Sequence, residues 1–175
     1  MQPQLDFLLG GARSGKSRLA QQRAESSHLQ LIYLATAEAK DKEMQQRIEI
    51  HRHQRGIQWQ LHEEPIYLAR TLQAITNPNT CVVVDCLTLW LSNLMLQDDS
   101  NMSEQQQTEL LLCLPQLEGH VIFVSNEVGQ GIVPMGELSR RFVDQADWLH
   151  QNLARECHRV DFIIAGIEQN LKNHF

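Results

Sequence analysis

The stretch Gly10-Gly11-Ala12-Arg13-Ser14-Gly15-Lys16-Ser17 fits G-x-x-x-x-G-K-[ST] at every required position. It follows the apolar run Leu5 to Leu9 directly and opens a helix-compatible segment from Ser14 to about Ser26. Strand, glycine-rich loop and helix in that order form a phosphate-binding loop. The glycines let backbone N–H groups approach phosphate oxygens closely, and the helix N-terminus adds partial positive charge. All eight residues from Gly10 to Ser17 are expected to bind nucleotide phosphates. Lys16 is the expected catalytic cation on the β- and γ-phosphates, and the Ser17 hydroxyl an expected Mg²⁺ ligand.

The rest of the chain reads as the sheet such a loop requires. Leu31–Ala35, Cys81–Val84, Val121–Val124 and Phe162–Ile164 are short, continuously apolar strand candidates, and Ile57, Trp59 and Leu61 alternate with polar residues. Between them the patterning predicts helices over 38–55, 64–75, 88–96, 103–118 and 137–157, with Pro115 ending or kinking the fourth. Apolar strands separated by helices imply a mostly parallel sheet covered on both faces. The expected fold is a single α/β domain over 1–175, phosphate-loop NTPase-like. Asp85 closes the Cys81–Val84 strand, so its carboxylate faces the same crevice as the phosphate loop. There it suits a water-mediated Mg²⁺ or a substrate hydroxyl; the simpler alternative is a helix N-cap.

Composition narrows the partners. The chain has 15 Lys+Arg against 21 Asp+Glu, a formal net charge of −6, which excludes a general nucleic-acid or anionic-membrane binder. The charge is uneven, because residues 1–55 carry nine Lys/Arg and six Asp/Glu. The cations therefore cluster where the motif lies. No uncharged apolar run approaches the roughly 18 residues a membrane span needs, and Met1-Gln2-Pro3-Gln4 lacks a basic, then apolar, leader; a cytoplasmic location is expected. Cys81, Cys86, Cys113 and Cys157 show no metal-ligand spacing and read as buried free thiols. Trp59 and Trp90 read as core, and His28, His120, His158 and His174 as surface or loop residues.

One further cluster bears on chemistry. Arg47, His51 and Arg55 stand at i, i+4 and i+8, along one face of the 38–55 helix, with Arg52 beside them. Neighbouring arginines lower a histidine's pKa and keep the imidazole neutral and nucleophilic. Their forks suit phosphate oxygens. The pattern fits a histidine attacking phosphorus; a solvated basic helix face is the alternative. His53 points elsewhere on the helix.

The chain resembles the bifunctional adenosylcobinamide kinase / adenosylcobinamide-phosphate guanylyltransferase family of cobalamin biosynthesis. The resemblance rests on Gly10–Ser17 and three further stretches. These run from Thr36-Ala37-Glu38-Ala39 to Glu63-Glu64-Pro65, from Asp85-Cys86-Leu87-Thr88 to Leu94, and from Ser125-Asn126-Glu127-Val128-Gly129 to Pro134. It implies two reactions: phosphorylation of adenosylcobinamide by ATP or GTP, then transfer of GMP from GTP to adenosylcobinamide phosphate. In the second, the histidine matching His51 is the nucleophile that carries GMP as a phosphoramidate. Ala35, Thr36, Ala37, Arg52, His53, Gln54, Arg55, Glu63 and Asp85 are implied to line the nucleotide site, with Ser17 and Asp85 on Mg²⁺. A homotrimer is also implied.

The sequence departs from the family pattern mainly after Pro134. Val143, Asp147 and His150 stand where Arg, Gly and Asn are expected, Gly56 where Pro is common, and no proline follows Ile167. Two other readings of the same residues are a different phosphate-loop small-molecule kinase, with no role for His51, and a non-enzymatic nucleotide-gated module.

Overall fold

The computed structural model describes residues 3–37, 56–99 and 101–173. Seven strands form one sheet: β1 (Gln4–Gly10), β2 (Gln30–Ala35), β3 (Trp59–Glu63), β4 (Thr80–Asp85), β5 (His120–Asn126), β6 (Arg159–Ile164) and β7 (Ile167–Asn173). Their order is β3-β2-β4-β5-β1-β6-β7. The first six pair in parallel, and β7 returns antiparallel to β6. The helices are α1 (Lys16–Glu25), α2 (Leu68–Ile75), α3 (Leu87–Met95), α4 (Met102–Cys113) and α5 (Glu137–Glu156).

Side chains on a strand alternate between faces, and here both faces are covered. Phe7, Val82, Val84 and Phe123 point to one side, where Leu72 of α2, Trp90 of α3, Leu110 of α4 and Leu153 of α5 close over them. Leu8, Val83, Ile122 and Val124 point to the other and pack on Ala20 and Ala24 of α1. The small alanines let α1 approach the sheet closely, which fixes the loop that precedes it. Phe7 and Phe123 are fully buried, each contributing about 1.5–3 kcal/mol of transfer free energy.

Several expectations shift in detail. The third strand is Trp59–Glu63 rather than 57–61, and Ile57 is fully exposed. The helix expected from Glu64 begins at Leu68, because the Glu64 carboxylate accepts the Ile66 and Tyr67 N–H groups and holds the preceding turn. The expected 103–118 helix becomes α4 and a 3₁₀ turn over Leu114–Gln116, consistent with Pro115 in that turn. β7 was not expected. Its residues are almost all exposed, so no apolar period marks it. His120 is buried on β5 rather than at the surface. The four cysteines are buried and free, as read. Trp90 is fully buried and donates its indole N–H to the Ile66 carbonyl at 2.8 Å. Trp59 is half-buried, edge-on to Tyr33. The expected 38–55 helix lies outside the described residues.

A part-buried ion network stitches α1 to the β1, β6 and β7 end of the sheet. Arg23 donates to Asp6 at 2.8 Å, Asp161 at 2.7 Å and Glu168 at 2.8 Å. Asp6 and Asp161 are fully buried, and Arg159 also pairs with Asp161 and Glu168. Burial alone would raise the Asp6 pKa; nearby His120 and then Arg23 outweigh it and hold the carboxyl below its ordinary value.

Candidate functional site

The crevice forms where β1, β4 and β5 end side by side. β1 runs into Gly10, and a Cβ there would collide with the Ile163 carbonyl of neighbouring β6. Gly15, at φ 102°, sits immediately before α1 and lets the loop turn back over its own backbone. A Cβ at Gly15 would meet Gly166 Cα at 3.2 Å, and the Gly166 N–H donates to the Ser14 carbonyl at 2.8 Å. The β6–β7 turn thus braces the loop from behind. No acidic residue occupies the first turn of α1, so its positive end is left for an outside anion.

Lys16 is 5% exposed, and its ammonium donates to the Gly11 carbonyl at 2.7 Å and Ser14 Oγ at 3.4 Å. Burial pulls its pKa below the ordinary lysine value, with nearby Cys86 and Asp85 opposing that pull. A cavity of about 480 Å³ opens in front of it, lined by Ala12, Arg13, Ser14, Gly15, Lys16, Ser17 and Arg18, with Asp85, Cys86, Val124 and Asn126 across from them. Asp85 is held in place by the Tyr33 hydroxyl, which donates to its carboxylate at 2.7 Å.

Two seams position the far wall. Ala35 of β2 stands in register with Asp85 of β4. The next residue, Thr36, is fully buried, and its hydroxyl donates to the Cys86 carbonyl at 2.7 Å and accepts the Cys86 N–H at 2.9 Å. Asn93 of α3 donates to the Thr36 carbonyl at 2.8 Å. On the other side the Asn126 N–H donates to Thr88 Oγ1 at 2.7 Å, and the Glu127 N–H donates to the Gly10 carbonyl at 2.9 Å.

The structure therefore brings Ala12 to Ser17 together with Asp85, with Gly10 and Gly11 leading in from β1. Ala35, Thr36 and Ala37 follow along the same carboxyl edge, where Thr36 braces the Asp85–Cys86 wall rather than lining the cavity. Glu63, paired in register with Ala35 at the end of β3, is exposed and outside the cavity lining. His51, Arg52, His53, Gln54 and Arg55 lie outside the described residues. Tyr33, Asn93 and Arg18 were not anticipated. Tyr33 reads as one more apolar strand residue, and only its register two positions before Ala35 reveals that its hydroxyl reaches Asp85. Chemically the cavity presents an ammonium, a helix N-terminus, a hydroxyl and one carboxylate, a donor-rich surface complementary to a polyphosphate.

Known proteins resemble this chain in sequence and in fold. The family model described as cobinamide kinase / cobinamide phosphate guanyltransferase matches residues 7–171. The chain is 53% identical over 167 residues to the bifunctional adenosylcobalamin biosynthesis protein CobP of Pseudomonas aeruginosa, covering 95% of this chain and 96% of that protein. It is 35% identical over 179 residues to CobU of Escherichia coli, which carries the same bifunctional description, covering 95% and 98%. Among solved structures, a KaiC-like protein from Pyrococcus horikoshii superposes with a TM-score of 0.51 at 14% identity, over 91% of this chain and 70% of that one. The RadB recombinase does so with a TM-score of 0.50 at 19% identity, over 90% and 73%. These two likenesses carry the fold alone, the P-loop NTPase-like sheet. Among the described residues no helix is long and apolar enough to cross a membrane. The match across nearly the whole chain places it in the cobinamide kinase / cobinamide phosphate guanyltransferase family.

Proposed function

We propose that this chain phosphorylates adenosylcobinamide with ATP or GTP and then converts the product to adenosylcobinamide-GDP, using one catalytic domain spanning 1–175. The observation that carries the reading is Lys16, a buried ammonium on a carbonyl and a hydroxyl, facing a cavity ringed by the loop's own backbone.

In the kinase step the aminopropanol hydroxyl oxygen forms a bond to the γ-phosphorus. The bond from that phosphorus to the β–γ bridging oxygen breaks, and the nucleoside diphosphate leaves. Lys16, Arg13 and the N–H groups around Gly15 offset charge on the phosphate oxygens. Asp85, steadied by Tyr33, faces the incoming hydroxyl and is suited to take its proton. Ser17 and Asp85 offer the hard oxygen donors Mg²⁺ prefers, so the residues present fit that ion; when bound it neutralises charge on the triphosphate.

In the second step a neutral His51 ring nitrogen forms a bond to the α-phosphorus of GTP and pyrophosphate leaves, giving a phosphoramidate. A phosphate oxygen of adenosylcobinamide phosphate then attacks the same phosphorus, the N–P bond breaks, and His51 is regenerated. Splitting one transfer into two displacements is the benefit of a covalent carrier. Arg52 to Arg55, with Ala37 and Glu63 at the adjoining strand ends, are proposed to hold the GTP, Thr36 serving to brace the wall beside them.

We also propose a cytoplasmic homotrimer. The trimer is what the family resemblance implies, and Ile132, Val133 and Met135 in the loop after β5, 98%, 72% and 96% exposed, offer an apolar surface for a subunit contact. The functional test is adenosylcobinamide-GDP formation from adenosylcobinamide, GTP and Mg²⁺. Accumulation of the phosphate alone would reduce the chain to a kinase, and binding of GTP without its consumption would reduce it to a nucleotide-gated module.

A further inference from the structure

A second constellation lies on the other side of β5, outside the phosphate-loop cavity. α5 is amphipathic, and Asp147 and His150 stand three residues apart, on one helix face. Glu127 follows the last residue of β5. A carboxylate oxygen from Glu127, one from Asp147 and a ring nitrogen of His150 all lie within 4.8 Å of one another. Asp147 and His150 are the two positions where the family pattern leads one to expect Gly and Asn.

The histidine supplies an observation independent of the carboxylates. His150 is 6% exposed, and its Nε2 is hydrogen-bonded to Ser125 Oγ at 2.8 Å. Its Nδ1 is buried without a partner. Ser125 in turn lies 3.2 Å from Thr88 Oγ1, which accepts the Asn126 N–H. An N–H on Nε2 donating to Ser125 puts the lone pair on Nδ1. That is the arrangement of metal-bound histidines, whose second nitrogen donates to an oxygen that fixes the ring. A buried nitrogen with no partner has a cost that ligation would remove.

The surroundings are also biased toward a cation. Glu127 and Asp144 both act on Asp147 as like charges, so negative charge is concentrated beside the His150 ring. The His150 ring is held in place on its other side by the Phe7 ring, with centroids 5.5 Å apart. The Glu127 carboxylate is already oriented by the Gly129 and Gln130 N–H groups, at 2.5 and 3.0 Å. Gly129 makes room for Asp147, since a Cβ there would come within 2.8 Å of its carboxylate.

We propose that Glu127, Asp147 and His150 bind a first-row divalent transition-metal cation, Zn²⁺ or a congener, that pins the segment after β5 to α5. One imidazole and two carboxylates suit such an ion better than Mg²⁺ or Ca²⁺, which prefer all-oxygen sites. Ligand distances of about 2.0–2.2 Å would draw the three side chains inward. Because Glu127 also donates its N–H to Gly10, the ion would stiffen the junction between the two sites.

Co²⁺ titration of the nucleotide-free protein, followed by its visible absorption, tests this without reference to the cobinamide reactions. One equivalent is expected to bind to the unaltered protein and to the Lys16→Ala variant. Affinity should fall more than about tenfold in His150→Asn and Asp147→Asn, and about tenfold in Ser125→Ala. Metal should also raise the melting temperature of the unaltered protein and leave that of His150→Asn unmoved. Should His150→Asn fail to fold, Asp147→Asn and Ser125→Ala give the same reading. Absence of Co²⁺ binding, or binding of equal strength in all of these variants, would overturn the proposal.

Discussion

Two cations on the same helix, Lys16 buried and Arg23 part-buried, stand seven residues apart and are treated in opposite ways. Arg23 faces Asp6, Asp161 and Glu168, and its charge is fully answered inside the protein. Lys16 spends its hydrogen bonds on a carbonyl and a hydroxyl and looks into an open cavity. A desolvated charge is costly unless paired, so Arg23 serves the fold. Lys16 keeps its charge available to an anionic ligand, at some cost to the empty protein. α1 is thus anchored at its far end so that its near end can stay electrostatically unsatisfied.

Removing either cation should separate these roles. Arg23→Ala takes a shared cationic partner from three carboxylates, two of them fully buried, leaving Asp6 with His120 and the other two with Arg159, and should lower stability by about 3 kcal/mol. Urea unfolding would show this, with nucleotide affinity of the folded fraction little changed. Lys16→Ala should do the reverse. Its kcat should fall by about 10²–10³-fold in both transfers, the loss typical of removing one preorganised charge-stabilising group. Its urea midpoint should hold or rise. If Lys16→Ala destabilised the chain as much as Arg23→Ala, the distinction between the two cations would collapse.

Proton titration gives a subtler contrast. The Asp6 carboxyl is held below its ordinary pKa in the folded protein. Its contribution to stability is therefore complete above the unfolded value of about 3.9, and is lost as pH falls through the lower folded value. Urea midpoints measured from pH 6 to pH 2 should drop at the acid end, and Asp6→Asn should flatten that drop. Smallest of all is Gly166→Ala. Gly166 has φ 77° and its N–H holds the Ser14 carbonyl behind the phosphate loop. A side chain in that left-handed conformation costs about 1–2 kcal/mol. The stability loss should come with a modest rise in KM for nucleotide.

The parts of this arrangement that the sequence made legible are local. Gly10 to Ser17 is read directly because its function requires consecutive residues. The apolar strands around Val83 and Ile122 are read because burial on both faces leaves no polar interruption. What stayed hidden depends on long separations or on pairing alone. Arg23 and Asp161 are 138 residues apart, and nothing near either announces the other. β7 exposes nearly every side chain and exists by its backbone pairing to β6. His120 looked peripheral because the apolar run starts at Val121, yet the strand begins one residue earlier. Asp147 and His150 were visible as departures from the family pattern. Their meeting with Glu127 required the fold, which returns α5 across the end of β5.

The two-step transfer is tested most directly by incubating the protein with Mg²⁺ and GTP labelled at the α-phosphate. The expected result is an acid-labile, base-stable protein label that is absent in His51→Ala, weakened in Lys16→Ala, and discharged by adenosylcobinamide phosphate as adenosylcobinamide-GDP appears. No label under turnover conditions, or a label that persists in His51→Ala, would contradict it.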